Sequence, residues 1–142
     1  MFHFRKKGVI INLSSIFSTA PVPLMALYSG TKAFGSLFSE SLAAEYKDKG
    51  IIIQTVTPSF VSTKMIGNLA TNFFVATPKS FVRCALSTVG LASNTCGYFS
   101  HSLQLWLAGL FPRDVFCNWV TMPVMKKLRQ LGMEELQSKK KK

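Results

Sequence analysis

Two short runs, GVIINLSS at residues 8–15 and IIIQTVTP at residues 51–58, decide the fold, together with the helix-patterned segment between them. Gly8 to Leu13 is β-branched with almost no polar alternation, as a strand buried on both faces of a parallel sheet would be. Pro21 and Pro23 forbid a regular helix between residues 16 and 27, so this stretch reads as a loop. From about Leu27 to Lys47 there is no proline, and Ala33, Phe34, Leu37, Phe38, Leu42 and Ala43 or Ala44 recur at three- and four-residue spacing. That is the pattern of an amphipathic helix, closed by a basic last turn and Gly50. Ile51 to Thr57 is then a second buried strand, stopped by Pro58. Strand, loop, helix and strand make a βαβ unit, whose right-handed crossover sets the two strands parallel.

Beyond Pro58 a helix is expected from Pro78 to Val89, with Thr77 as N-cap and proline in the first turn. Residues 91–100 read as a turn into a short element. Ser102 to Phe111 and Val115 to Met125 are apolar segments separated by Pro112, Arg113 and Asp114, suited to an extra helical layer or to a membrane face. The last eleven or so residues are expected to be disordered, because four consecutive lysines repel one another and bury nothing.

The chain has 142 residues, 48% of them hydrophobic, a net charge of +11, twelve Phe and three Cys. That is room for one domain with a core, and it excludes both a wholly disordered protein and a two-domain enzyme. Arg5, Lys6, Lys7, Lys126, Lys127, Arg129 and Lys139 to Lys142 face only Glu134 and Glu135 in the terminal stretches: ten basic residues against two acidic, so +8 of the +11 is terminal. A nucleic-acid binder would spread its cations over one face among exposed aromatics, whereas here the Phe residues sit in apolar runs, so no nucleic-acid partner is expected. Cys84, Cys96 and Cys117 leave one unpaired in any disulfide scheme and have no zinc-site spacing, so reduced thiols and no metal are expected. No basic, apolar, small-residue stretch opens the sequence as a signal peptide would, and no apolar run is long enough to span a bilayer, so the chain as given is not expected to cross a membrane.

The chemistry gathers around Tyr28 and Lys32. Four residues apart at the start of a helix, they share one face. An adjacent ammonium favours phenolate, which makes a tyrosine usable as a general acid or base. The Tyr-x-x-x-Lys pair alone is weak, but Ser15 lies thirteen residues before Tyr28 at the end of a buried strand, where open α/β sheets bind ligands. In these residues the sequence resembles the short-chain dehydrogenase/reductase family. GVIINLSSIFSTAPVPLMALYSGTKAF, at 8–34, and EYKDKGIIIQTVTPSFVSTKM, at 45–65, resemble more narrowly its 17-beta-hydroxysteroid dehydrogenases and very-long-chain 3-oxoacyl-CoA reductases. Asn94-Thr95-Cys96-Gly97 and His101 follow the same subfamily pattern. The likeness runs from about Gly8 to Phe111.

The resemblance implies an α/β fold: the C-terminal half of a Rossmann-like, doubly wound parallel sheet with additional C-terminal helices. It divides the chain into a partial dehydrogenase domain, residues 1–125, and a basic tail, residues 126–142. It assigns Tyr28 as proton donor to a substrate carbonyl, Ser15 as hydrogen-bond donor to the same oxygen, and Lys32 as ligand of the nicotinamide ribose. Pro58, Val61 and Thr63 match the loop that holds the carboxamide of NADP(H). Ser59 departs from the glycine that many members carry there. His101 has no assigned chemistry and reads as a structural histidine, and the cysteines read as small buried hydrophobes. The family's glycine-rich pyrophosphate turn and its Asn-Asn-x-Gly strand do not occur in this sequence. Two readings follow: an NADP-dependent reductase segment acting on a steroid ketone or a long-chain 3-oxoacyl-CoA, or an inactive interaction protein that retains the active-site segment. Lys139 and Lys140, fourth and third from the end, resemble a dilysine retrieval signal, which implies the cytosolic face of the endoplasmic-reticulum membrane, with that surface as a partner. A homodimer through the Tyr28 helix is a further expectation.

Overall fold

The computed structural model describes residues 7–67 and 69–140; Arg5, Lys6, Lys141 and Lys142 lie outside the described residues, as do the side chains of Lys139 and Lys140. The two β-branched runs form β1 (Gly8–Leu13) and β2 (Ile51–Val56), parallel and paired from Gly8 opposite Ile51 to Leu13 opposite Val56. A two-residue strand, β3 (Asn94–Thr95), adds parallel to β2 opposite Thr55 and Val56, so the order is β1-β2-β3.

The helix between the first two strands is α1 (Ala26–Glu45), and a short turn ends at Gly50, whose φ of 72° requires a residue that tolerates the left-handed region. The next helix, α2 (Pro78–Ser87), begins as expected: the Thr77 hydroxyl accepts the Ser80 amide at 3.1 Å, with proline in the first turn. Side chains alternate along β2, and the alternation sorts the helices. Gln54 and Val56 point one way: Gln54 Nε2 donates to the Thr88 and Ala92 carbonyls, and Val56 packs with Phe81 and Ala85 of α2. Thr55 points the other way, and its partner in register, Asn94, reaches Glu40 of α1. Helices therefore cover both faces of a parallel sheet, the doubly wound arrangement.

Two expectations for the first strand and helix are corrected. β1 is not buried on both faces: Val9 is 53% and Leu13 60% exposed, because β1 is the edge strand among the described residues. Nor does α1 turn its aromatic stripe inward. Ser36 and Ser39 are its buried residues, while Phe34, Leu37 and Phe38 are exposed, with the two Phe rings stacked 5.9 Å apart. Small hydroxyl residues let the helix lie close to the sheet, and each hydroxyl finds a partner there.

The chain continues into α3 (Phe99–Gly109), is interrupted at Pro112, and resumes as α4 (Arg113–Val115), a wider π-helical stretch (Phe116–Thr121) and α5 (Met122–Lys140). The tail expected to be disordered is thus helical through Lys140. Buried Thr121 and Met125 anchor the start of this helix, and Lys, Leu, Gln, Met and Glu propagate it. Among the described residues no helix is long and apolar enough to cross a membrane.

The core is small: Val56, Ala76, Phe81 and Ala85, with Val61 and Tyr98 packed against it. Gly97 closes it at φ 68°, where an added Cβ would stand 2.9 Å from the Ala85 Cβ and 3.0 Å from Val56 Cγ1. Gly97→Ala should therefore destabilise the chain by about 2 kcal/mol or more, through backbone strain and overpacking together. Urea unfolding checks this, and an unchanged midpoint would contradict it.

Candidate active site

Parallel β1 and β2 deliver their C-terminal ends to the same edge of the sheet, and the loops that leave them lie side by side. Ser14 and Ser15 follow β1 and are both buried. The Ser14 amide continues the ladder by donating to the Val56 carbonyl at 2.8 Å, and the Ile16 amide donates to the Pro58 carbonyl at 2.9 Å. The Ser15 hydroxyl accepts the Phe17 amide at 3.2 Å and caps a single 3-10 turn, Ile16–Ser18. Accepting that amide leaves the Ser15 O–H as the donor of the group.

The start of α1 is tied to the end of β1 in both directions. Lys32 Nζ donates to the Leu13 carbonyl at 3.0 Å, and Ser14 Oγ donates to the Lys32 carbonyl at 2.9 Å. Ser36 Oγ in turn donates to Ser14 Oγ at 2.8 Å, forming a buried relay from helix to strand to helix. Asn12 reaches Ser39 one turn further along. Lys32 Nζ lies 5.8 Å from the centre of the Tyr28 ring, so the pair shares one helix face, as its spacing requires. Leu24, in the loop that enters α1, is the non-glycine residue with positive φ (64°) among the described residues.

The second loop holds Pro58, Val61 and Thr63. Val61 forms an isolated parallel bridge with Ala76, and Thr63 precedes the short turn Lys64–Ile66. The structure thus ties Lys32 to the strand end that Ser15 follows, keeps Tyr28 on the same helix face as Lys32, and joins the Ser15 loop to Pro58, with Val61 and Thr63 further along the second loop. Beside the two loops lies a cavity of about 780 Å³, its walls including Ile16, Phe17, Phe60, Leu107, Phe111 and Val124. A smaller cavity of about 310 Å³ opens by Leu13, Ser14 and Lys32.

Sequence reasoning missed what holds the second loop. His101, fully buried near the start of α3, has Nδ1 3.3 Å from the Ser59 amide, which donates to it. The Ser59 hydroxyl donates to Gln104 Oε1 at 2.9 Å. A proton on Nε2 completes the neutral ring, and that atom is buried without a partner among the described residues. The Phe81 and Tyr98 rings pack against the imidazole. Burial lowers the His101 pKa from its ordinary 6.5, and a backbone hydrogen bond at Phe60 offsets part of that shift. The departure of Ser59 from glycine was the available signal, since a new hydroxyl in a tight loop needs an acceptor.

Residues 1–72, about half of the chain, match the family described as short chain dehydrogenase, and the chain belongs to that family. It is 44% identical over 125 residues to the very-long-chain 3-oxoacyl-CoA reductase of Anas platyrhynchos, a match covering 88% of this chain and 40% of that protein. It is 47% identical over 115 residues to very-long-chain 3-oxoacyl-CoA reductase-A of Danio rerio, covering 80% and 36%. To the 17-beta-hydroxysteroid dehydrogenase type 3 of Rattus norvegicus it is 41% identical over 117 residues, covering 82% and 38%. The chain spans about two-fifths of the length of these relatives. A 7beta-hydroxysteroid dehydrogenase shares the fold, with a TM-score of 0.65 at 23% identity over 80% of this chain and 46% of its own. A short chain dehydrogenase from Burkholderia cenocepacia in complex with NADP has a TM-score of 0.58 at 26% identity, over 72% and 43%.

Because the His101 pKa is lowered in the folded state, the unfolded chain binds more protons as pH falls below 6.5, and stability declines across that window. Denaturation between pH 7 and about 5, above the ordinary carboxylate range, should show this decline. His101→Asn, which cannot titrate, should flatten it. An equal slope in both proteins would contradict the assignment.

Proposed function

We propose that this chain carries the proton-transfer segment of an NADP(H)-dependent oxidoreductase that reduces the keto group of a long-chain 3-oxoacyl-CoA or of a steroid. The observation that carries the reading is the two-way tie of Lys32 to the end of β1, which fixes the helix face shared by Lys32 and Tyr28 against the strand end that Ser15 follows, in a chain of the short-chain dehydrogenase family. The Tyr28 hydroxyl would protonate the substrate oxygen as the carbonyl is reduced. The Ser15 O–H would hydrogen-bond the same oxygen and stabilise its developing charge. Lys32 would bind the ribose hydroxyls, and Pro58, Val61 and Thr63 would hold the carboxamide. Bound there, the cofactor would supply hydride.

The residues present fit the ribose end: the Lys32 ammonium and the Ser14 and Thr31 hydroxyls line a small hollow at the strand end, beside Leu13 and Phe38. A glycine-rich pyrophosphate turn is not among them. The size and apolar walls of the larger cavity suit a long acyl chain or a steroid body. The relatives at 44% and 47% identity bear the acyl-CoA name and the one at 41% the steroid name, which favours the acyl substrate.

Two further proposals concern surroundings. The cytosolic face of the endoplasmic-reticulum membrane suits the dilysine pattern, with Trp106, Leu110 and Trp119 exposed in the C-terminal region that also carries Lys126, Lys127 and Arg129. A second copy could pair through the exposed Phe34, Leu37 and Phe38 face of α1. The polypeptide would then comprise a partial dehydrogenase domain with a basic helical end.

Joined to a glycine-rich cofactor turn, the chain should reduce a 3-oxoacyl-CoA with NADPH, and Tyr28→Phe should lower kcat about 100-fold or more while leaving NADPH affinity unchanged. Retained turnover in that variant would overturn the assignment of Tyr28. The 142-residue chain alone should show no NADPH binding by calorimetry, and saturable binding would contradict that. The competing reading, an inactive chain that retains this segment, is separated by the genomic sequence upstream of Met1. An in-frame glycine-rich turn supports the enzyme; stop codons support the inactive chain.

A further inference from the structure

We infer that His101 and Gln104, one helical turn apart on α3, are positioning residues that clamp the Pro58–Val61 loop through Ser59, His101 accepting its amide and Gln104 its hydroxyl. Their functional meaning rests on the reading that this loop receives the nicotinamide carboxamide.

Both bonds converge on a single residue, at 3.3 Å and 2.9 Å. Residues three apart on a helix share a face, so α3 presents the imidazole and the carboxamide to the loop together. His101 is 0% exposed, so its lone pair has no water to turn to. The other restraints lie on either side of Ser59: Val61 bridges Ala76, and the Phe60 ring meets Phe17 edge-on at 5.9 Å. The Pro58 carbonyl accepts the Ile16 amide, and the Phe60 carbonyl accepts the Ala76 amide at 3.1 Å. Between these two points Ser59 has no other hydrogen bond among the described residues, and the clamp acts there.

Gln104 extends the tie: its Nε2 donates to the Phe74 carbonyl at 3.3 Å, so one side chain joins two segments of the long excursion between β2 and α2. Ser59, Phe60 and Gln104 also line the 780 Å³ cavity. The clamp therefore connects the wall of the substrate cavity to the loop: a body that displaced Gln104 would release the Ser59 hydroxyl. A glycine at residue 59 would keep only the His101 bond, so the serine adds a restraint that glycine cannot make.

The test is amide hydrogen exchange at Ser59 and Phe60 in the full chain without cofactor, so that its outcome is independent of whether the loop binds a nicotinamide. His101→Phe keeps a ring but removes the acceptor, and should speed Ser59 exchange about tenfold relative to amides of the β2 core. His101→Asn places an oxygen near the Nδ1 position and should restore most of the protection, a rescue that a volume-filling histidine would not show. Unchanged Ser59 exchange in His101→Phe, or no rescue by His101→Asn, would overturn the proposal. Should His101→Phe fail to fold, the other bond gives the same reading. Ser59→Gly and Gln104→Leu each remove it and should raise Phe60 exchange, Gln104→Leu somewhat more because it also frees the Phe74 carbonyl, and the double variant should rise no further than Gln104→Leu alone. Additive effects in the double variant would overturn the clamp.

Discussion

The bond from the Lys32 ammonium to the Leu13 carbonyl holds the site together. Leu13 is the last residue of β1, and its carbonyl is reached by a side chain from the second turn of α1, nineteen positions along the chain. Ser14 answers by donating to the Lys32 carbonyl, and Ser36 backs Ser14. A charge-assisted bond and a neutral bond thus cross between the same two elements in opposite senses. If the helix slid along the strand, both would break. Everything proposed for Tyr28 and Ser15 depends on that fixed distance between strand end and helix start.

The same constraint explains the composition of the contact face. A helix that must lie close enough for Lys32 to reach a strand carbonyl cannot place Phe34 or Phe38 between itself and the sheet. It places Ser36 and Ser39 there, and their hydroxyls are satisfied by Ser14, Asn12 and the Gly35 carbonyl. Fully satisfied buried networks of this kind specify one arrangement more sharply than apolar packing does. The aromatic stripe is left on the outer side of α1. Across the site, the loop after β2 is held differently, by α3 through Ser59, so the two halves of the site are positioned by separate helices and meet at the Ile16 to Pro58 bond.

How much of this was legible in the sequence follows from how local each signal is. β1, α1 and β2 could be read because proline, glycine and β-branched runs punctuate them within a few residues. The Thr77 cap was legible for the same reason. The burial of β1 was not, because whether a strand is covered depends on which neighbours it has, and β1 pairs only with β2 among the described residues. The inward face of α1 was misread because hydrophobic periodicity marks an apolar stripe without saying which side the sheet takes. The clamp on Ser59 joins residues 42 and 45 positions apart, beyond any short motif. The helical end was hidden by its charge: repulsion among lysines argued for disorder, whereas Thr121 and Met125 start a helix that the following residues continue.

The most direct measurement of the central tie is a double-mutant cycle on unfolding free energy with Ser14→Ala and Lys32→Met. If both bonds hold one helix start against one strand end, breaking the first already frees the contact. The double variant should then lose about as much as the worse single one, a coupling of roughly 1 kcal/mol. Losses that simply add would show the two bonds to be independent and would contradict the account.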